Sequence, residues 1–126
     1  MIQILVAAAL LNGLPPDIFV AMCEVESGLN AKVIHKNDGR GSSLGVCQVK
    51  FGTARMVGYH GRSVELLQPR VNAQVASLYL SHQLTRYKGN LTAALIAYNA
   101  GHLIKDTSYA AKVYRHATKY AYLRTK

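Results

Sequence analysis

Up to Gly28 the chain is almost wholly apolar, and it then turns polar and glycine-rich. Ile2 to Leu11 is a short apolar run, broken only at Gln3 and ended by Asn12-Gly13. No basic segment precedes it and it is too short to span a bilayer, so neither a signal peptide nor a transmembrane segment is expected. Pro15 and Pro16 suit a helix start, because the first turn tolerates a missing N–H. The helix they open runs to Ser27, with Gly28 placed for a left-handed stop. Its apolar run is broken late, by Glu24 and Glu26. Asn30 to Leu44 contains Asn37-Asp38-Gly39 and Gly41-Ser42-Ser43, turn chemistry that fits a short hairpin or an irregular loop.

Gly45 to Lys50 leads into a short helix near Thr53 to Val57, and Tyr59 to Arg62 reads as a loop. Pro69 opens a helix reaching about Tyr87. Val71, Val75, Leu78 and His82 form one stripe on it, and Ala73, Ala76, Leu80 and Leu84 a second. Two stripes predict a central helix buried on more than one side. Gly89 stops it, and Asn90 can cap a helix carrying Leu91, Ala94, Leu95 and Tyr98. A last helix is expected from Ser108 to Leu123. Tyr109, Val113, His116 and Tyr120 give its inner face, and Lys112, Arg115, Lys119 and Lys126 a basic outer face.

A chain of 126 residues, half of them apolar, suggests one domain, 1–126, with one real core. The formal net charge is +9, from fifteen Lys and Arg against six Asp and Glu. That excess implies anionic company: nucleic acid, anionic lipid or acidic wall polymers. Cys23 and Cys47 are too few for a disulfide framework, and both lie in apolar settings. Two buried free thiols are the expectation, ahead of a disulfide. Five histidines show no short ligand spacing, and no phosphate-cradling glycine loop is present, so neither metal nor cofactor is expected.

The candidate chemistry centres on Glu26. A carboxylate near a helix C-terminus faces the negative end of the dipole, and apolar neighbours disfavour its charge. Both raise its pKa, as a general acid near neutral pH requires. Glu24 stands two positions away and faces a different way, so only one of the pair can enter a cleft. A surface or ion-paired role is expected for Glu24. A second catalytic carboxylate is hard to find. Asp17 suits a helix N-terminus, Glu65 a local cap, and Asp106 precedes the last helix. Asp38 alone lies in a loop able to overhang a cleft, where a turn role is favoured.

Three blocks carry a resemblance: Glu26-Ser27-Gly28-Leu29-Asn30, Gly45-Val46-Cys47-Gln48-Val49 and Ala97-Tyr98-Asn99-Ala100-Gly101. In this order and spacing they resemble the signature blocks of the soluble lytic transglycosylase domain, which is related to goose-type lysozyme. The resemblance runs from about Leu11 to Tyr120. It implies a mainly α, lysozyme-like fold with a small β-hairpin beside the cleft, and a first helix packed behind the catalytic one. By bringing the blocks together it also implies that Cys23 and Cys47 lie near each other.

The activity implied is cleavage of the MurNAc–GlcNAc bond of peptidoglycan, with Glu26 as acid and then base, to an anhydro product. A water-using muramidase is the alternative, and a basic non-catalytic wall- or nucleic-acid-binding module is the rival of another class. By the same likeness Gln48 lines the pocket, Tyr98 positions the acid or the substrate's N-acetyl group, and Ser27 supports the helix end. Asn99 makes local backbone bonds, and Tyr109 loosely matches a late tyrosine near the site. The family's usual methionine before the glutamine is Cys47 here. The Asn30 to Leu44 loop is longer than usual and offers His35, Ser42 or Ser43 where many members have a serine. Peptidoglycan strands are the expected partner, with anionic wall polymers on the basic face. A monomer acting at the bacterial wall is expected, with a phage endolysin or virion-borne enzyme among its sources.

Overall fold

A computed structural model of the chain describes residues 1–37 and 41–124. Among these it has six α-helices: α1 Ile2–Leu11, α2 Pro16–Ser27, α3 Phe51–Met56, α4 Pro69–Arg86, α5 Leu91–Ala100 and α6 Ser108–Ala117. Short 3-10 turns cover Ser63–Leu67 and Thr118–Leu123. Three strands, β1 Ile34–Asn37, β2 Gly41–Leu44 and β3 Val49–Lys50, form an antiparallel sheet in that order. Ile34 stands opposite Leu44, and Ser43 opposite Lys50. The turn-rich segment thus forms a hairpin, extended by a third strand.

Helix α2 is the centre of the packing. Every residue from Pro16 to Cys23 is buried, with α1, α6 and the 118–123 turn against it. Proline at its first position and Gly28 at φ +68° bound it, and the Gly28 N–H donates to the Glu24 carbonyl at 2.7 Å. Asp17, 2% exposed, accepts from Arg124 Nε at 2.8 Å, so its charge is paired as well as placed at a helix start.

Helix α4 packs on α1, α5 and α3, which accounts for small and apolar residues on several flanks. Ala73, Val75, Ala76 and Leu80 are buried as the periodicity predicts. Leu78 and His82 are exposed instead. Their stripe is covered at Val75 and turns to solvent in the second half of the helix. The last helix also differs from expectation: it tightens into a 3-10 turn after Ala117. Val113 and Tyr120 are buried on its inner face, with Tyr109 and His116 half-buried. Lys126 lies outside the described residues. Glu65 accepts from the Arg62 N–H at 2.9 Å, the local cap expected of it, and this closes the 63–67 turn.

Candidate active site

Glu26 sits in the last turn of α2, half-buried. Its Oε2 accepts from the Tyr109 hydroxyl at 2.5 Å. Burial raises its pKa above the ordinary carboxyl value. The Tyr109 hydrogen bond and the positive charges of His35 and Lys112 oppose that rise without cancelling it. Ser27 Oγ donates to the Val46 carbonyl at 2.6 Å and accepts from the Asn30 N–H at 3.1 Å, tying the end of α2 to the next block.

That block is a tight turn with little freedom. Gly45 has φ +79°, and a Cβ there would stand 2.5 Å from Asn72 Nδ2 and 2.7 Å from the Leu66 carbonyl oxygen. Only glycine meets both conditions. Asn72, fully buried on α4, donates to the Leu44 and Leu66 carbonyls, both at 2.7 Å, and accepts from the Cys47 N–H at 2.9 Å. Gln48 Nε2 donates to the Gly45 and Val33 carbonyls at 2.9 and 3.0 Å. Its Oε1 lies 2.7 Å from His35 Nδ1. An amide oxygen can only accept, so His35 Nδ1 is the donor in this contact.

The two tyrosine hydroxyls meet different partners. Tyr98 donates to the Cys47 carbonyl at 2.7 Å, not to Glu26. Its ring lies 5.3 Å from that of Tyr79. Tyr109, the looser match, is the one that reaches the acid. Burial, and then the charge of Glu26, push both phenols well above their usual range, so both stay protonated donors.

Cys23 and Cys47 form a disulfide, with Cα atoms 4.3 Å apart. This corrects the expectation of free thiols. Each cysteine alone reads as a small hydrophobe, but the folded blocks bring the two together. Glu24 is ion-paired, as expected. His116 Nδ1 and Lys119 Nζ both lie 2.7 Å from its Oε1, and the Tyr120 hydroxyl donates to Oε2 at 2.9 Å. Burial pushes the Glu24 pKa up, but these donors outweigh it and hold the carboxyl below its ordinary value. Burial and Glu24 together push Tyr120 up to about 12. Lys119 stays exposed on the outer face, as periodicity places it, and its ammonium reaches Glu24 from there.

A cleft of about 180 Å³ brings the three blocks together, lined by Glu26, Gln48, Tyr98 and Asn99. Asn99 is exposed there, and among the described residues its side chain makes no hydrogen bond. Ser43, one of the hairpin serines considered, lines the cleft. Lys50, Thr53 and Tyr79 line it too and were missed. Lys50 and Thr53 follow Gln48 closely, and that proximity was the available signal. Tyr79 gave none beyond its place on a helix. Asp38 lies outside the described residues. No group of three or more His, Cys, Asp or Glu side chains that could hold a metal gathers among the described residues.

A mainly α domain whose half-buried glutamate ends a core helix beside a small antiparallel sheet defines a lysozyme-like fold. The family model "Transglycosylase SLT domain" matches residues 3–121, and the chain belongs to that family. It is similar to the X-ray structure of an inactive glutamate-to-glutamine mutant of the lytic transglycosylase Slt from Pseudomonas aeruginosa. The two share 26% identity with a TM-score of 0.80 over 95% of this chain. The chain spans 24% of that protein's length.

Proposed function

We propose that the protein is a peptidoglycan lytic transglycosylase that cleaves the MurNAc–GlcNAc β-1,4 bond. One observation carries the reading: Glu26 is the only carboxylate lining the cleft among the described residues, and burial raises its pKa. Most glycosidases need two carboxylates. A single one suffices if the substrate supplies the rest.

Glu26 protonates the glycosidic oxygen, and the C1–O bond breaks as the substrate's N-acetyl oxygen bonds to C1. The resulting Glu26 carboxylate then takes the proton of the muramic C6 hydroxyl. The C6 oxygen attacks C1 and displaces the N-acetyl oxygen. The product is a 1,6-anhydromuramoyl end; no water is consumed and Glu26 recovers its proton. Tyr109 holds Oε2, leaving Oε1 to carry the proton towards the cleft. Gln48 and Tyr98 shape the wall, Asn99 meets the sugar at the rim, and Ser27 steadies the helix end. Anionic wall polymers would meet the exposed Lys112 and Arg115. Inactivity of the Pseudomonas protein after a glutamate-to-glutamine change supports the same role here.

The test is Glu26→Gln with mass spectrometry of products from purified peptidoglycan. The wild type should release muropeptides one water lighter than hydrolysed ones, and the variant should fold and release none. Reducing-end products would mean a muramidase. Cleavage by the variant would remove Glu26 from the mechanism.

A further inference from the structure

The bond between Cys23 and Cys47 takes no part in the chemistry above, yet it joins two segments that both end in the cleft. Cys23 lies about one turn before Glu26 on α2, and Cys47 immediately precedes Gln48. Both are fully buried. The turn they fasten needs support, because Gln48 has φ +54° and is not a glycine. Its anchors reach in several directions. Cys47 N–H holds it to Asn72 on α4, its carbonyl accepts from Tyr98 on α5, and Gln48 Nε2 closes it on itself. The Ser27 hydrogen bond to the Val46 carbonyl and the disulfide tie it to α2, the helix that carries Glu26.

We propose that the Cys23–Cys47 bond is a positioning element of the active site, fixing the Gln48 turn at its working distance from Glu26, so that the dithiol form folds but turns over slowly. The bond is the covalent tie between α2 and the turn. Once it is cut, the Ser27 hydrogen bond to the Val46 carbonyl carries that tie, and a hydrogen bond tolerates far more variation in length and angle than a covalent bond. The spacing of Gln48 from Glu26 is then no longer fixed. A misplacement of about 1 Å can cost on the order of a hundredfold in rate. The hydrogen bonds from Asn72, Tyr98 and Ser27 do not depend on the bond, and they keep the turn folded. The inference rests on the reading of Glu26 as the acid.

The experiment compares oxidised wild type, reduced wild type and the Cys23→Ala/Cys47→Ala variant. Because the bond is buried, a trialkylphosphine is applied in denaturant before refolding. The phosphine supplies two electrons and becomes its oxide, and water supplies that oxygen and the two thiol protons. Thiol counting confirms the state. On soluble peptidoglycan strands, kcat should fall by roughly tenfold or more while KM changes little. Reoxidation of the wild type should restore kcat. Backbone amide signals of Glu26 and Gln48 should move, and those of α4 and α5 beyond the contact should not. Full turnover in the reduced protein overturns the proposal. So does loss of fold in both altered forms, which would make the bond a staple of stability alone. An inactive oxidised wild type counts against the Glu26 reading. The amide shifts then decide the positioning claim, and unmoved signals at Glu26 and Gln48 overturn it.

Discussion

Tyr109→Phe removes a single oxygen and leaves the ring in place. The lost hydroxyl is the donor 2.5 Å from Glu26 Oε2. A hydrogen bond to a charged partner is worth roughly 1.5–3 kcal/mol. A hydrogen bond between neutral groups is worth about 0.5–1.5 kcal/mol, so losing the Tyr109 donor costs the Glu26 carboxylate more than it costs the protonated acid. The sign follows from which form the bond favours. Tyr109 stabilises the carboxylate and opposes the rise that burial causes. Without it the carboxyl holds its proton to higher pH. A step that needs protonated Glu26 is lost as pH rises through that pKa. The alkaline limb of kcat against pH should therefore move to higher pH. Turnover of soluble peptidoglycan strands, followed by chromatography of released muropeptides across acid and neutral pH, measures it. A limb that stays in place, or moves to lower pH, refutes the reasoning.

Tyr98→Phe should act on stability instead. It leaves the buried Cys47 carbonyl without its donor, at a cost of about 1–3 kcal/mol in denaturant unfolding. A hydroxyl that does not touch Glu26 should leave the alkaline limb where it is. Glu24 gives a pH dependence of stability. Its folded pKa is lowered, so its contribution is present above the ordinary value of about 4.5 and is lost as pH falls through the folded value. The wild-type Tm should consequently drop more steeply on acidification than that of Glu24→Gln. Parallel curves would show that the His116, Lys119 and Tyr120 contacts contribute nothing to stability.

The helices were legible because their ends carry local chemistry. Pro16 and Gly28 bound α2, and Asn90 accepts from the Ala93 N–H at 3.0 Å at the start of α5, as a cap should. Glu26 was legible for a related reason, since an acid at the end of a buried helix is visible in one segment. What stayed hidden belongs to pairs of segments. β3 has two residues, too few to show alternation, and exists because Ser43 and Leu44 lie alongside. The choice of Tyr109 over Tyr98 as the donor to Glu26 depends on how α6 crosses the end of α2. Periodicity gives a face but no crossing point. The outward turn of Leu78 and His82 likewise depends on how far the neighbouring helices reach along α4.

The Cys23–Cys47 pair also limits how this chain can vary by descent. A sequence that loses one cysteine keeps a lone thiol sealed in the core, beside a volume its partner no longer fills. A methionine at position 47, the residue usual before this glutamine in the family, would occupy space that both sulfurs now share. It would ask for a smaller residue at position 23. The two positions, 24 residues apart, are thus one heritable character, and relatives of this chain should carry both cysteines or neither.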